Sequence, residues 1–287
     1  MDWLNIILII LSVIVFISII IYFFQERIIF KPEKLPENFV FQYKNQDVEE
    51  YNITLKKNVI INGLHFKAKN SKGVVFYLKG NSRSIKGWGK FAIDFTSQHW
   101  DVIMIDYRGF GKSKGKRTQQ TMKDDVLAIY DKIKQKVEEK YIIVYGRSLG
   151  TGLATKVASM NNPRMLILTC PYYSITNNIQ RFLPFIPLGL VMRYSMPTYK
   201  WIKYVKCPIK IIHGTNDKII PMKSSIRLSK INSKQTRIYP IIGGGHKNLH
   251  NFEGYHRALH EILISKPFEE IDIDKTSIGY TRSKRKA

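Results

Sequence analysis

The sequence predicts an α/β protein, a mostly parallel sheet with helices on both faces, preceded by one N-terminal transmembrane helix. Three observations predict it. From Val74 onward, short and almost wholly apolar runs alternate with segments of helical periodicity, as strands buried on both faces require. A Gly-x-Ser-x-Gly turn stands between one such run and a helix-like segment. No charged residue interrupts Trp3 to Phe24.

That N-terminal run is the first element. As a helix its 22 residues reach about 33 Å, against a hydrocarbon core of about 30 Å. Trp3 and Tyr22 lie near its two ends, where amphipathic aromatics settle. Its length, the lack of a basic segment before it and the lack of a small-x-small site after it argue against a cleaved signal. Residues 3–24 are therefore read as a retained single-pass anchor. Arg27, Lys31 and Lys34 follow it closely, so the positive-inside rule favours the cytoplasmic side for the rest of the chain, with a secretory-side topology as the alternative.

Residues 25–36 form a juxtamembrane segment, in which Pro32 and Pro36 oppose continuation of the helix. A domain over 37–265 follows. It opens with strand-like stretches at Phe39–Tyr43, Tyr51–Leu55 and Val59–Phe66, the last two joined by a tight turn at Lys56–Asn58. The parallel strands are expected at Val74–Leu78, Val102–Ile105, Ile142–Tyr145, Met165–Thr169, Ile209–Ile212 and Ile238–Ile242. Val126, Ile129, Tyr130, Ile133 and Val137 recur at helical steps between two of them. Residues 172–201 break the alternation with three prolines among large apolar side chains, and are read as a small lid insertion. Residues 266–287 read as a flexible basic tail.

Charge and cysteine content narrow the class. Lys and Arg exceed Asp and Glu by 24, which favours anionic partners. The basic residues are scattered, and no zinc-finger spacing or RNA-binding signature accompanies them, so no nucleic-acid partner is read. An anionic membrane surface fits better. Cys170 and Cys207 end apolar runs, as small buried hydrophobes do, and form no disulfide framework.

The chemistry is concentrated at three positions. Gly146-Arg-Ser148-Leu-Gly150 follows one expected strand and precedes the helical Thr151–Met160, so Ser148 is the candidate nucleophile. A bland glycine-rich turn is the competing account of the motif. A serine hydroxyl needs a base, and the base an orienting acid. Asp217 follows the strand Ile209–Ile212 and can supply that acid, although it could instead cap a helix near Pro221. Asn216 beside it lacks the carboxylate. His246 follows the last strand after three glycines, which leave an imidazole free to reach the serine. His246 with His250, and His256 with His260, have metal-like spacing, but no carboxylate motif accompanies them and no metal is read. The backbone N–H groups of Asn81 and Leu149 are the candidate oxyanion donors. Gly109-Phe-Gly-Lys-Ser113 resembles half of a phosphate loop, but Asp106 stands where that motif needs glycine, so a structural turn is read.

Several segments together resemble the α/β-hydrolase superfamily: Lys79-Gly-Asn-Ser, Asp106-Tyr-Arg-Gly-Phe-Gly-Lys-Ser, Gly146-Arg-Ser-Leu-Gly-Thr-Gly, Pro208-Ile-Lys-Ile-Ile-His-Gly-Thr-Asn-Asp and Gly243-Gly-Gly-His. More narrowly, the chain resembles single-pass membrane-anchored serine hydrolases of the bud-emergence and prolyl-oligopeptidase-like group. The juxtamembrane Arg27-Ile-Ile-Phe-Lys-Pro is similar to that group's linker. The resemblance implies an α/β-hydrolase fold and cleavage of an ester or thioester through an acyl-enzyme, with no cofactor. It implies a small-molecule or lipid-like acyl substrate, with an S-acylated protein among the candidates. Lys79 departs from the pattern, which usually carries His there. A peptidase of the same fold and a non-catalytic membrane scaffold are the alternatives.

Overall fold

The computed structural model describes residues 2–265, so the basic tail expected over 266–287 lies outside the described residues. The first helix, α1 (Trp3–Ile29), runs five residues beyond the expected anchor. Gln25, Glu26 and Arg27 are good helix formers and the first proline comes only at Pro32, so nothing stops the helix at Phe24. It is long and apolar enough to cross a membrane and is 6% buried over its most apolar stretch.

The remaining elements follow in chain order. Strands β1 (Asp47–Lys56), β2 (Val59–Lys67) and β3 (Val74–Leu78) lead to the short helices α2 (Ile85–Trp88) and α3 (Ile93–Thr96). Then come β4 (Asp101–Ile105), α4 (Gln119–Lys134), β5 (Ile142–Arg147), α5 (Gly150–Met160) and β6 (Met165–Thr169). The insertion carries α6 (Ile175–Gln180), α7 (Leu188–Val191) and α8 (Thr198–Trp201). The described residues end with β7 (Ile209–Gly214), α9 (Lys223–Ile231), β8 (Thr236–Ile241) and α10 (Glu253–Ile264).

Among the described residues, eight strands form one sheet in the order β1-β2-β4-β3-β5-β6-β7-β8. The β1–β2 and β2–β4 pairs are antiparallel; every other pair is parallel. Asn58, in the left-handed region at φ 64°, makes the hairpin turn between β1 and β2.

Strand residues alternate between two cores. Phe76, Leu78, Val144, Leu166 and Leu168 face α4, α5 and α9. Val75, Tyr77, Ile143, Tyr145 and Ile167 face α2, α3 and α10. The inner parallel strands β3, β5 and β6 are thus buried on both sides, which is why they read as continuous rather than alternating apolar sequence.

Phe39–Tyr43, expected as a strand, is irregular. Its aromatics pack sideways: Phe39 on Phe41 and Tyr43 on Phe66, with ring centroids 5.1 Å apart in each pair. The Tyr43 hydroxyl donates to the Ile85 carbonyl. Aromatic content raised the strand propensity here, but tertiary packing used the side chains without backbone pairing.

The parallel strands all end at the same edge of the sheet. The loops following β3, β5, β7 and β8 therefore converge there, at the C-terminal edge where open α/β sheets bind ligands.

Candidate active site

The turn after β5 holds Ser148 in the left-handed region at φ 51°. A non-glycine residue adopts that conformation only where its surroundings impose it. They do so through two glycines. A Cβ on Gly150 would lie 1.9 Å from the Leu78 carbonyl oxygen, and one on Gly146 would lie 2.6 Å from the Gly150 oxygen. The strand and helix can approach this closely only without those side chains, and the sharp turn lifts the serine clear of the sheet.

His246 Nε2 lies 2.9 Å from Ser148 Oγ, and His246 Nδ1 lies 2.7 Å from Asp217 Oδ2. The carboxylate can only accept, so Nδ1 carries a proton, and a neutral ring then presents a bare Nε2 to the serine hydroxyl. Ser148 and His246 are half-buried, whereas Asp217 is buried. Burial pushes the Asp217 carboxyl up, but hydrogen bonds from His213 and His246 and the electrostatic pull of His246 outweigh it. With the Ile220 amide they hold the group well below the ordinary carboxylate range. Ile219 and Ile220 both donate backbone N–H groups to Oδ1, at 2.9 and 2.8 Å.

His213 is a member of this network that the sequence reading passed over. It is fully buried, with Nε2 2.8 Å from the Ile220 carbonyl and 3.3 Å from Asp217 Oδ2, and Nδ1 2.6 Å from Ser225 Oγ. The Ile220 carbonyl accepts, so Nε2 is protonated and faces Asp217 Oδ2, the same oxygen that His246 Nδ1 meets. Its spacing four residues before the acid, at the end of the same strand, was the available signal.

The three glycines before His246 act through close packing as well as freedom. Gly244 accepts from the Asn216 amide at 2.9 Å, and a Cβ there would lie 2.7 Å from a Leu249 methyl. The loops carrying Asp217 and His246 are thereby tied together. Only Gly243 of the three has the positive φ, 74°, that favours glycine.

The β3 turn, containing Gly80 and Asn81, passes directly over Ser148. A Cβ on Gly80 would lie 3.7 Å from the Ser148 Cβ and 2.8 Å from the Trp88 ring. Leu149 occupies the N-cap of α5, so its amide belongs to the helix end whose N–H groups lack intrahelical partners. Asn81 donates its side-chain amide to the Ile29 carbonyl.

Lys79 holds the turn from beneath. It is fully buried, with Nζ 3.3 Å from Asp106 Oδ1, 3.0 Å from the Arg83 carbonyl and 3.8 Å from the Phe110 ring centroid. Asp106 in turn accepts the Ile85 amide at 3.0 Å. The Asp106–Ser113 segment is thus a structural turn.

The juxtamembrane segment is built into the same turn. The Lys31 amide donates to Asn81 O and the Arg83 amide donates to Lys31 O, both at 2.9 Å. Ser84 donates both its N–H and its hydroxyl to Glu33 Oε2. The chain leaving the membrane helix is therefore paired with the loop that borders Ser148.

Cys170, Asp217 and His246 bring three potential metal-ligand atoms within 4.8 Å of one another. The Asp217–His246 spacing is that of a hydrogen bond. His256 Nε2 lies 2.8 Å from the His250 carbonyl and His260 Nδ1 lies 2.9 Å from Gln98 Oε1, so the histidine pairs noted in the sequence are turned to other partners. Both cysteines are free and buried.

The fold has known counterparts. The profile of the serine aminopeptidase S33 hydrolases matches residues 69–205, a little under half of the chain. An esterase of Pyrococcus furiosus superposes with a TM-score of 0.64 at 18% identity, covering 82% of this chain and 97% of its own. The chain has the α/β-hydrolase fold. The chain is also similar to a thioesterase domain of the curacin biosynthetic pathway, with a TM-score of 0.57 at 16% identity over 76% of this chain and all of that one. Among curated proteins, the lysophosphatidylserine lipase ABHD12 of Danio rerio is 28% identical over 185 residues, covering 56% of this chain and 47% of the relative. The corresponding lipase of Gallus gallus is 26% identical over 229 residues, covering 68% and 59%. The chain thus spans about half the length of the curated relatives it matches. These likenesses support the α/β-hydrolase fold and lend nothing to the bud-emergence group in particular.

Proposed function

We propose that the protein is a membrane-anchored serine hydrolase that cleaves a carboxylic ester or thioester of a lipid-like acyl group. The observation that carries this reading is the continuous chain from Ser148 Oγ through His246 to Asp217, with contacts of 2.9 and 2.7 Å. Ser148 attacks the acyl carbon while His246 Nε2 takes its proton. Asp217, held ionised by its partners, fixes the Nδ1–H tautomer and stabilises the imidazolium that forms. The backbone amides of Leu149 and Asn81 receive the oxyanion. His246 then protonates the leaving group, and water releases the acyl group by the same steps in reverse roles.

The two lipases named above act, by their names, on a single-chain phospholipid, and the apolar anchor would keep such a substrate at hand. A single-pass arrangement with the catalytic domain on the cytoplasmic side is proposed from Arg27, Lys31 and Lys34. The matched profile's peptidase name favours one second reading, amide cleavage, which an aminoacyl anilide would reveal.

Fluorophosphonate labelling of the full chain in detergent, beside Ser148→Ala and with p-nitrophenyl esters of graded chain length, tests the reading. Labelling and turnover are expected in the parent and absent in the variant. A parent that neither labels nor turns over any ester would leave a scaffold with a hydrolase fold.

A further inference from the structure

Between Arg181 and Arg193 the insertion runs Phe-Leu-Pro-Phe-Ile-Pro-Leu-Gly-Leu-Val-Met without a single polar side chain. Phe182 is 65% exposed, Phe185 83% and Leu190 89%. An apolar run of 10–14 residues is too short to span a bilayer but suits one that lies within its surface layer.

The position of this run relative to α1 is informative. Ile21 of α1 is buried against Ile186 and Leu188, and Ile14 and Ile17 pack on the same cluster with Leu183 and Val191. Ile14 is eight residues from Tyr22, about 12 Å along a helix. Tyr22 sits under the Arg193 guanidinium at 5.2 Å, and Glu26 one turn further on meets the Tyr194 hydroxyl at 2.9 Å. Polar contacts thus begin at the Tyr22–Glu26 level, while the tip of the insertion reaches back along α1 beside residues that a membrane span would place in hydrocarbon.

Backbone bonding fits that depth. Irregular chain tolerates hydrocarbon only if its polar groups are satisfied within the protein. Pro184 and Pro187 remove two N–H donors. The Gln180 side-chain amide donates to the carbonyls of Leu183, Pro184 and Ile186, and Gln25 of α1 donates to Val191 O. The Leu190 and Met192 amides donate to Pro187 O and Leu188 O. Arg181 and Arg193 bracket the run, placed to keep their guanidinium groups at the headgroup level.

We propose that residues 182–192 form a second membrane contact, with Phe182, Phe185 and Leu190 inserted into the leaflet from which α1 emerges. The occupant of this face is lipid hydrocarbon, because the face is continuous with the lipid-facing surface of α1. The insertion is anchored from one side, whereas α1 crosses.

Single cysteines at Phe185 and Leu190, carrying an environment-sensitive fluorophore on the full chain in phosphatidylcholine vesicles, test this. Cys170 and Cys207 are buried, and the unmutated chain serves as the labelling blank. The references are Phe16→Cys on the lipid-facing side of α1 and Lys136→Cys, exposed near the opposite edge of the sheet. Labels at 185 and 190 are expected to emit at blue-shifted wavelengths, lose most of their intensity to doxyl-labelled lipid and resist aqueous iodide, as at position 16. Behaviour like that at position 136 would overturn the proposal. Shielding from both quenchers would also overturn it, by putting protein, such as a second copy of the chain, on this face. The readout is independent of catalysis, so its failure would leave the hydrolase reading intact.

Discussion

Replacing Lys79 with methionine keeps the volume of the side-chain stem and removes its charge from a site with no access to water. Asp106, equally buried, would then have only the Ile85 amide to offset its carboxylate. Removing one partner of a buried ion pair costs about 3–5 kcal/mol. In a domain of this size about 1 kcal/mol moves Tm by about 2–4 °C, so Lys79→Met is expected to melt about 6–20 °C below the parent. Lys79→Met with Asp106→Asn removes both charges and is expected to recover most of that loss. About 1–2 kcal/mol would remain for the bonds to Arg83 O and from the Ile85 amide.

The dependence on pH has a definite sign. Burial lowers Lys79 to about 8 and raises Asp106 to about 6. A carboxyl raised in the fold contributes stability below its unfolded value that is lost as pH rises through about 6. A lysine depressed in the fold contributes stability above its unfolded value that is lost as pH falls through about 8. The pair is thus least favourable between these values, and the double variant compares best with the parent there. Intrinsic-fluorescence melts in detergent at about pH 5, 7 and 9 provide the assay. A single variant within about 1 kcal/mol of the parent, or a double variant as unstable as the two single effects added, would refute the reasoning.

Further outcomes follow from the same geometry. Asp217→Asn keeps an acceptor for the Ile219 and Ile220 amides but loses the carboxylate that sets the His246 tautomer; kcat should fall by about 10⁴-fold with the fold intact by circular dichroism. Gly150→Ala drives a methyl group into the Leu78 carbonyl and should cost about 3 kcal/mol or more, seen as loss of folded protein in a melt. Glu33→Gln weakens the clamp on Ser84 and should cost about 1 kcal/mol, with slower fluorophosphonate labelling than the parent. Glu33 is lowered because, although burial pushes it up, the Ser84 amide and hydroxyl and the Lys86 charge pull it further down. Its contribution is therefore present above its ordinary value and lost as pH falls through the lowered one, and an acid titration of parent against variant should converge at low pH.

The parallel sheet was legible because burial on both faces leaves an unmistakable pattern. Val74–Leu78 and Met165–Thr169 are strands over the expected residues, and the other parallel strands differ only at their ends. Ser148, Asp217 and His246 could be picked out because each follows a strand in the parallel set, and topology then brings distant residues to one edge. Phe39–Tyr43 misled because its aromatics pack through their rings. His213 was passed over because it lacks the glycine loop that singled out His246. The pairing of residues 31–35 with the turns at 81–84 and 111 spans some fifty to eighty residues of sequence and leaves no periodic trace. The packing of the insertion on α1 was equally invisible, since an apolar run gives no sign of which apolar surface will meet it.

The central claim is that Ser148 is an activated nucleophile, and its reaction with a fluorophosphonate probe tests this most directly. The full chain in detergent should label rapidly, Ser148→Ala should not label at all, and His246→Ala should label far more slowly because the serine has lost its base. Labelling that persists in Ser148→Ala, or a parent that stays unlabelled while correctly folded, would contradict the account.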